Sequence, residues 1–180
     1  HSERFNPAVV AARPYIKDPR FIEVHRLGTQ VGRSLDIDVV LDLMIHDLDL
    51  ILSTVPSEVE SVEAVGVPVL TPKVDIANAR VRFANGCIAN LTASRVSMNK
   101  LRKMRFFQKD HSICIDFLHR ETDIDQVAVT GDVDVFEMAQ QRRTVVPRRD
   151  VGFGDDIVAV ERRERDRGDV LDVETCSEFV

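Results

Sequence analysis

The chain of 180 residues lacks the features that mark several large classes of protein. It has no apolar run near the roughly 20 residues that a membrane-spanning helix needs. Its first residues do not follow the pattern of a secretory signal peptide. Positive charge is not in excess, because the formal net charge is −6. A negative net charge argues against nucleic acid or an anionic membrane as the main partner.

Cysteine is also scarce. The three cysteines, Cys87, Cys114 and Cys176, are an odd number and lie far apart in the sequence. They form neither a disulfide framework nor a Cys-x-x-Cys metal pair, and free cysteines are usually buried as small apolar residues. This usage indicates a reducing compartment, and we expect the protein to be cytoplasmic.

The composition that remains is ordinary for one domain with a core, at 44% hydrophobic and 30% charged residues. The sequence begins with His1 instead of Met and stops within a segment, from Asp169 onward, that its pattern predicts to be an amphipathic helix. We therefore expect residues 1–180 to be a single domain of a longer chain that continues on both sides.

The periodicity predicts helices first and strands afterwards. A short helix over 8–12, a strand over 21–27, a glycine-containing loop over 28–34 and a long helix over 36–54 come first. Strands follow at 59–69, 75–83, 87–96, 101–108 and 112–118, and weaker strand patterns lie at 123–129, 144–147 and 157–162. Residues 131–156 have the least regular pattern.

One hairpin register follows from its side chains. A two-residue loop of Asn85 and Gly86 would mix polar and apolar side chains on one face, whereas a three-residue loop with Gly86 left-handed pairs Phe83 with Cys87. The pairs that follow are Val81 with Ala89, Ala79 with Leu91 and Ala77 with Ala93. The opposite face carries Asn78, Arg80, Arg82, Asn90, Thr92 and Ser94. Because a shift of one residue inverts every side chain, the pattern selects the three-residue loop.

The apolar face of this hairpin is rich in alanine, so a helix can lie close against it. The predicted fold class is α+β, with helices packed on one face of a mainly antiparallel open sheet. The polar face is either solvated or used for self-association.

The long predicted helix carries one narrow polar stripe. At 100° per residue, its members fall within an arc of about 80°; they are Asp38, Asp42, His46 and Asp49. Nearly every other residue of the segment is Val, Leu, Ile or Met. A helix that is apolar almost all round is buried, so the stripe faces something polar.

Asp42 and His46 are neighbours on that stripe because they are four residues apart. A carboxylate there can hold the imidazole in one tautomer and raise its basicity, which is the arrangement of a general base with an orienting acid. The alternative is a solvated helix edge on which His46 is passive. Asp47 lies off the stripe among apolar residues, and we expect it to pair with a buried arginine or to cap a loop.

A metal site built from His46, Asp42 and His25 is a further alternative. Because no second ligand pair at short spacing supports it, we predict no metal ion.

The segment Asp42-Leu-Met-Ile-His46 resembles the Asp-x-x-x-His motif of the glucose–fructose oxidoreductase and inositol dehydrogenase family, in its C-terminal domain. The order of elements over residues 2–121 is similar as well. The stretches 1–7, 21–27, 40–49 and 88–95 resemble the family's nucleotide-sugar branch. Those enzymes oxidise the 3-hydroxyl of UDP-N-acetylglucosamine for lipid A or surface-sugar synthesis.

The resemblance implies a sugar dehydrogenase that uses NAD or NADP, in which His46 exchanges a proton with the hydroxyl and Asp42 orients it. Neither the family's Glu-Lys-Pro motif nor a Gly-x-Gly-x-x-Gly loop occurs in the sequence. We therefore expect a missing N-terminal domain to bind the dinucleotide, no cofactor-binding residue here, and no activity from these 180 residues alone.

Four residues are candidates for binding the sugar or its diphosphate: Arg4, Asn6, Arg26 and Arg33. The arginines suit a diphosphate because a guanidinium donates two parallel hydrogen bonds, and the alternative for each is a surface residue or a carboxylate partner. The resemblance also implies a homodimer or homotetramer formed through the sheet. Two other functions stay open: a non-catalytic oligomerisation or ligand-binding module, and a dehydrogenase of another sugar or polyol such as inositol.

Overall fold

The structure is a computed structural model that describes residues 2–29, 36–129, 138–145 and 159–160, with backbone alone for residues beyond 125. In this part of the chain, nine strands form one sheet. The strands are β1 Phe21–Leu27, β2 Val59–Val67, β3 Ile76–Phe83, β4 Ile88–Ser94, β5 Leu101–Phe107, β6 His111–Asp116, β7 Glu121–Val129, β8 Met138–Val145 and β9 Ala159–Val160. The predicted loop over 28–34 beyond Thr29, the helix from Asp169 and Cys176 lie outside the described residues.

The sheet is antiparallel except for one pair of strands. Its strand order is β2-β3-β4-β1-β5-β6-β7-β8-β9, and β1 runs parallel to β4. The chain therefore crosses over from β1 through the helical segment and the β2–β3 hairpin before it returns beside β1. The predicted α+β class with a mainly antiparallel sheet is confirmed.

The hairpin between β3 and β4 has the predicted register. Val81 pairs with Ala89, Ala79 with Leu91 and Ala77 with Ala93. The Phe83 amide donates to the Cys87 carbonyl at 2.9 Å, and Gly86 is left-handed at φ 86°. The three-residue loop is confirmed.

The helices lie on the apolar face of the sheet. Helix α1 (Pro7–Ala12) begins at Asn6, whose side chain accepts from the Ala8 amide. It packs against β6 and β7, where the Thr122 hydroxyl donates to the Ala8 carbonyl at 2.8 Å. The core between the layers includes the alanine row of β3 and β4, so the helices approach the sheet closely.

The second helical segment begins later than its pattern predicts. It consists of a π-helical turn, Val40–Met44, followed by helix α2, Ile45–Thr54; we call Val40–Thr54 the motif helix. The prediction of a helix from residue 36 was wrong at its start. Backbone groups at that end are already engaged elsewhere, because the Val39 amide donates to Val74 at 2.9 Å and the Ile37 carbonyl accepts from Arg95.

Candidate active site on the motif helix

The four side chains of the predicted polar stripe are half-buried, and the first of them, Asp38, lies just before the motif helix. Asp38, Asp42, His46 and Asp49 are each neither fully buried nor freely exposed. The stripe is therefore partly screened from water instead of forming an open helix edge. The apolar side of the same helix packs into the core through Met44, Leu50 and Ile51.

The two ends of the stripe are engaged by other elements. Asp38 accepts from the Val74 amide at 2.9 Å, which ties the start of the helix to the β2–β3 hairpin. Asp49 accepts two hydrogen bonds of 2.6 Å from the Arg4 guanidinium, and those bonds are the main reason that the pKa of Asp49 lies below its usual value. Asp42 and His46 occupy the middle of the stripe.

Asp42 lies within the π turn, and His46 is the second residue of α2. A π turn holds more residues per turn than an α-helix and occurs frequently at functional sites. At its end the Ile45 amide donates back to the Val40 carbonyl. Asp47 follows His46 directly and Asp49 lies three residues on, so the imidazole sits among carboxylates. This arrangement can accept and hold a proton.

Arg26 lies beneath the motif helix and not at its open edge. It shares the buried face of β1 with Ile22 and Val24 and is 2% exposed. Its Nε and Nη2 donate to both carboxylate oxygens of Asp47, at 2.8 and 2.7 Å. The expected pairing of Asp47 with a buried arginine is confirmed.

Two further contacts complete the surroundings of Arg26. Its Nη1 donates to Glu3 at 3.2 Å, and the guanidinium carbon lies 5.3 Å from the centre of the Phe117 ring. Burial by itself favours a neutral side chain, but the two carboxylates outweigh it and raise the pKa of Arg26. Removing one partner of such a buried pair costs about 3–5 kcal/mol. In the structure Arg26 pairs with carboxylates, which was the alternative to its predicted role in binding the substrate.

The other substrate-binding candidates are spread along the N-terminal segment. Arg4 belongs to the 3₁₀ turn Ser2–Phe5 and remains partly exposed while it pairs with Asp49. Asn6 accepts from the Ala8 amide at 3.1 Å and donates to Glu3 at 3.4 Å, so its amide caps α1. Arg33 lies outside the described residues. The structure thus brings Arg4 to the motif helix near His46 and uses Asn6 locally.

A second buried cluster of charged side chains, near the start of the motif helix, was not predicted from the sequence. Asp75 is fully buried and accepts hydrogen bonds from the backbone of Val69, Leu70 and Thr71 at 2.7–2.8 Å. Arg95 lies 3.5 Å from the Asp75 carboxylate. The sequence could have indicated this cluster, because Asp75 directly precedes β3 and Arg95 directly follows β4, and each of these strands is apolar on one face.

The opposite face of the sheet is polar and concave. Its strands line an open depression of about 470 Å³ with Glu23, His25, Glu63, Asn78, Arg80, Asn90 and Thr92. Neighbouring strands are linked there by side-chain hydrogen bonds, from Asn78 to Thr92 and from Arg80 to Asn90, both 3.0 Å. This face lies across the sheet from His46, so it is a separate surface.

Three further observations concern the described residues alone. None of their helices is both long and apolar enough to cross a lipid bilayer. Nor do three or more of their His, Cys, Asp and Glu side chains cluster in a way that could hold a metal ion. Cys87 and Cys114 are buried, and burial raises the pKa of the Cys87 thiol to about 11. Both are small core residues, as expected.

The chain is similar to known sugar dehydrogenases. A UDP-N-acetylglucosamine 3-dehydrogenase of Acidithiobacillus ferrooxidans is 46% identical over 120 residues, which are 66% of this chain and 38% of that protein. A solved structure of UDP-N-acetylglucosamine 3-dehydrogenase from the same organism has a TM-score of 0.69 at 39% identity, over 78% of this chain and 45% of that one.

A levoglucosan dehydrogenase in complex with NADH and levoglucosan shares the fold. Its TM-score is 0.68 at 20% identity, over 81% of this chain and 46% of that one. The chain thus spans less than half the length of each of these relatives. The sequence model of the family described as GFO/IDH/MocA C-terminal domain matches residues 25–113. The resemblance found in the sequence is therefore confirmed, and the chain contains a GFO/IDH/MocA C-terminal domain.

Proposed function

We propose that this chain is the substrate-side domain of an NAD- or NADP-dependent sugar dehydrogenase, and that the complete enzyme oxidises the 3-hydroxyl of a UDP-amino sugar. The observation that carries the proposal is the half-buried Asp42/His46 pair on the motif helix. The identity of 46% to a UDP-N-acetylglucosamine 3-dehydrogenase supports the choice of substrate. Lipid A or surface-sugar synthesis would consume such a product.

His46 would act as the general base. It accepts the proton of the substrate hydroxyl, and Asp42, one turn away, orients the imidazole and stabilises its protonated form. Because the stripe is half-buried, the charged imidazolium interacts strongly with nearby carboxylates. Arg4 and Arg33 are the proposed contacts to the diphosphate, and Asn6 holds the segment that carries Arg4.

The dinucleotide does not fit the described residues of this chain, which form no glycine-rich turn between a strand and a helix N-terminus. We propose that an N-terminal dinucleotide-binding domain outside these 180 residues binds it. Bound NAD or NADP would take up the hydride that leaves the sugar. We expect no dehydrogenase activity from residues 1–180 alone.

The polar sheet face supports a further part of the proposal, the association of copies of the protein. We propose that it joins two or four copies of the protein, because its polar groups form a patterned surface on the side away from the motif helix. We also propose a cytoplasmic location, since three cysteines that lie far apart in the sequence suit a reducing compartment.

The assignment of His46 is tested in the complete protein. His46→Ala should lower kcat with UDP-N-acetylglucosamine and NAD or NADP by about 10²–10⁴-fold, the usual contribution of a general base. His119→Ala, the same change at an exposed position in the β6–β7 turn, should leave kcat unchanged. Wild-type turnover in His46→Ala would reject the general base. Activity only with other sugars or polyols would reject the substrate, and no activity with any of them would favour a non-catalytic module.

A further inference from the structure

His46 is bracketed by two aspartates that are held by arginines from other elements. Asp47 follows it directly and points inward to Arg26 on β1. Asp49 lies three residues on and points to Arg4 in the 3₁₀ turn Ser2–Phe5. His46 therefore lies in the stretch of the motif helix that ion pairs join to both β1 and the 3₁₀ turn.

The inner contact is a triad of Glu3, Arg26 and Asp47 that joins three separate elements. All three guanidinium nitrogens of Arg26 are used, two on Asp47 and one on Glu3. The side chains of Arg26 and Asp47 are 3% and 2% exposed, and that of Glu3 is 17% exposed. The 3₁₀ turn, the strand and the motif helix therefore meet at one buried guanidinium.

The geometry of the triad restricts how the motif helix can move. Apolar contacts are not directional, so packing against the alanine-rich sheet alone would allow the helix to rotate or slide by small amounts. A planar guanidinium that donates two parallel bonds accepts only one orientation of the carboxylate. Because Asp47 is the next residue after His46, fixing its carboxylate also fixes the direction in which the His46 side chain leaves the helix.

We propose that Arg26, Asp47 and Glu3 are positioning residues for His46. The inference rests on the proposed function for the role of His46. In it, Arg26 does not contact the substrate but holds the motif helix in the orientation that directs His46. A displacement of about 1 Å at a reacting group can cost on the order of 100-fold in rate. A loosened triad should therefore lower the rate of the chemical step and leave substrate affinity largely unchanged.

The first test is kinetic and uses the complete protein. Arg26→Lys keeps the charge but loses the two parallel bonds, Asp47→Asn removes the carboxylate charge, and Glu3→Gln is the mildest change. We expect kcat to fall about tenfold or more in the first two variants, with KM within about twofold of wild type. Glu3→Gln should fall less, and it keeps the test informative if a stronger variant does not fold.

The matched control is a variant that destabilises the core away from the motif helix. Ile113→Ala removes a fully buried side chain on β6 and should lower Tm. Measured well below every Tm, its kcat should stay within about twofold of wild type. Equal loss of kcat in Ile113→Ala and in triad variants of the same Tm would mean that the triad only stabilises the fold, and would overturn the proposal.

The second test does not depend on activity. In the complete protein labelled with ¹⁵N-histidine, His46→Gln identifies the imidazole resonances of His46. These resonances should shift or broaden in Arg26→Lys and Glu3→Gln and stay in place in Ile113→Ala. Unchanged His46 resonances in the triad variants would overturn the positioning role. If His46→Ala retains full turnover while these shifts occur, the general base fails and the triad's hold on His46 stands.

Discussion

At the scale of the residue, Asp75 combines complete burial with ionisation. Burial opposes the charge, but the backbone amides of Thr71, Val69 and Leu70 and the Thr71 hydroxyl donate to the carboxylate and outweigh it. The pKa of Asp75 therefore lies below the ordinary value of about 3.9. A buried carboxylate satisfied in this way holds a loop closed without an exposed charge.

The lowered pKa of Asp75 predicts an acid-sensitive contribution to stability. The folded protein binds its proton less readily than the unfolded chain, so the contribution is present above the unfolded pKa and is lost as the pH falls through the folded one. Asp75→Asn should lower the free energy of unfolding at pH 7 and flatten its decline between pH 5 and pH 3. Urea unfolding at each pH measures this.

The control for Asp75 is a carboxylate at the surface. Asp18→Asn, whose side chain is largely exposed beside Arg20, should give a pH profile parallel to that of the wild type. A profile for Asp75→Asn that is equally parallel would contradict the stated role of Asp75.

At the scale of the element, local pattern set the hairpin between β3 and β4, whereas distant contacts set the motif helix. The alternation of side chains and the left-handed Gly86 lie within a few residues of each other, so the register was predictable. The start of the motif helix depends on Val74 and Arg95, which are 36 and 58 residues from their partners. No local pattern carries that information.

We expect substitution of Gly86 in the β3–β4 hairpin to lower the stability of the protein. The φ of 86° at this glycine disfavours any residue with a Cβ, although a Cβ there would meet nothing within 4 Å. Gly86→Ala should lower the free energy of unfolding by about 1–2 kcal/mol, from backbone strain alone, and Gly86→Asn by less. Chemical denaturation measures both.

Gly28→Ala is the matched control for Gly86. A Cβ at Gly28 would be 3.7 Å from the Ser94 carbonyl oxygen, an ordinary contact, and its backbone is not left-handed. That variant should be close to wild type in stability. Equal losses at Gly28 and Gly86 would remove the conformational explanation.

At the scale of the whole molecule, the two faces of the sheet serve different purposes. The apolar face supports the helices and the candidate active site, whereas the concave polar face supports the proposed association. The alternation of side chains along β1 places Arg26 on the apolar face and His25 on the polar one. One short strand therefore contributes to both surfaces.

The proposed association predicts sensitivity to charge at Arg80, which is paired across strands with Glu63. Arg80→Glu would place like charges side by side on that face, and such contacts cost several kcal/mol at an interface. The dissociation constant of the oligomer should rise about tenfold or more, as measured by sedimentation velocity. Arg13→Glu, the same change at an exposed position after α1, should have no effect. A monomeric wild type would contradict the proposal.

The sequence by itself determined the features that depend on near neighbours. These are the alternation of the strands, the loop of the β3–β4 hairpin, and the family motif of Asp42 and His46 on a largely apolar helix. The predicted burial of that helix almost all round was wrong, because Leu41 and Leu52 are 61% and 55% exposed. Arg26 shows the limit of such reasoning. In the structure it shares the buried face of β1 with Ile22 and Val24, and the alternation of the strand could not identify its carboxylate partners.

Only the tertiary structure decided the long-range contacts. It paired Arg26 with Asp47 and Glu3, tied the start of the motif helix to Val74, and placed β1 beside β4. The physical reason is that a buried charge must find a partner somewhere in the folded chain, and which partner it finds depends on how distant segments pack. Periodicity fixes the direction of a side chain, and packing of the whole domain fixes what it meets.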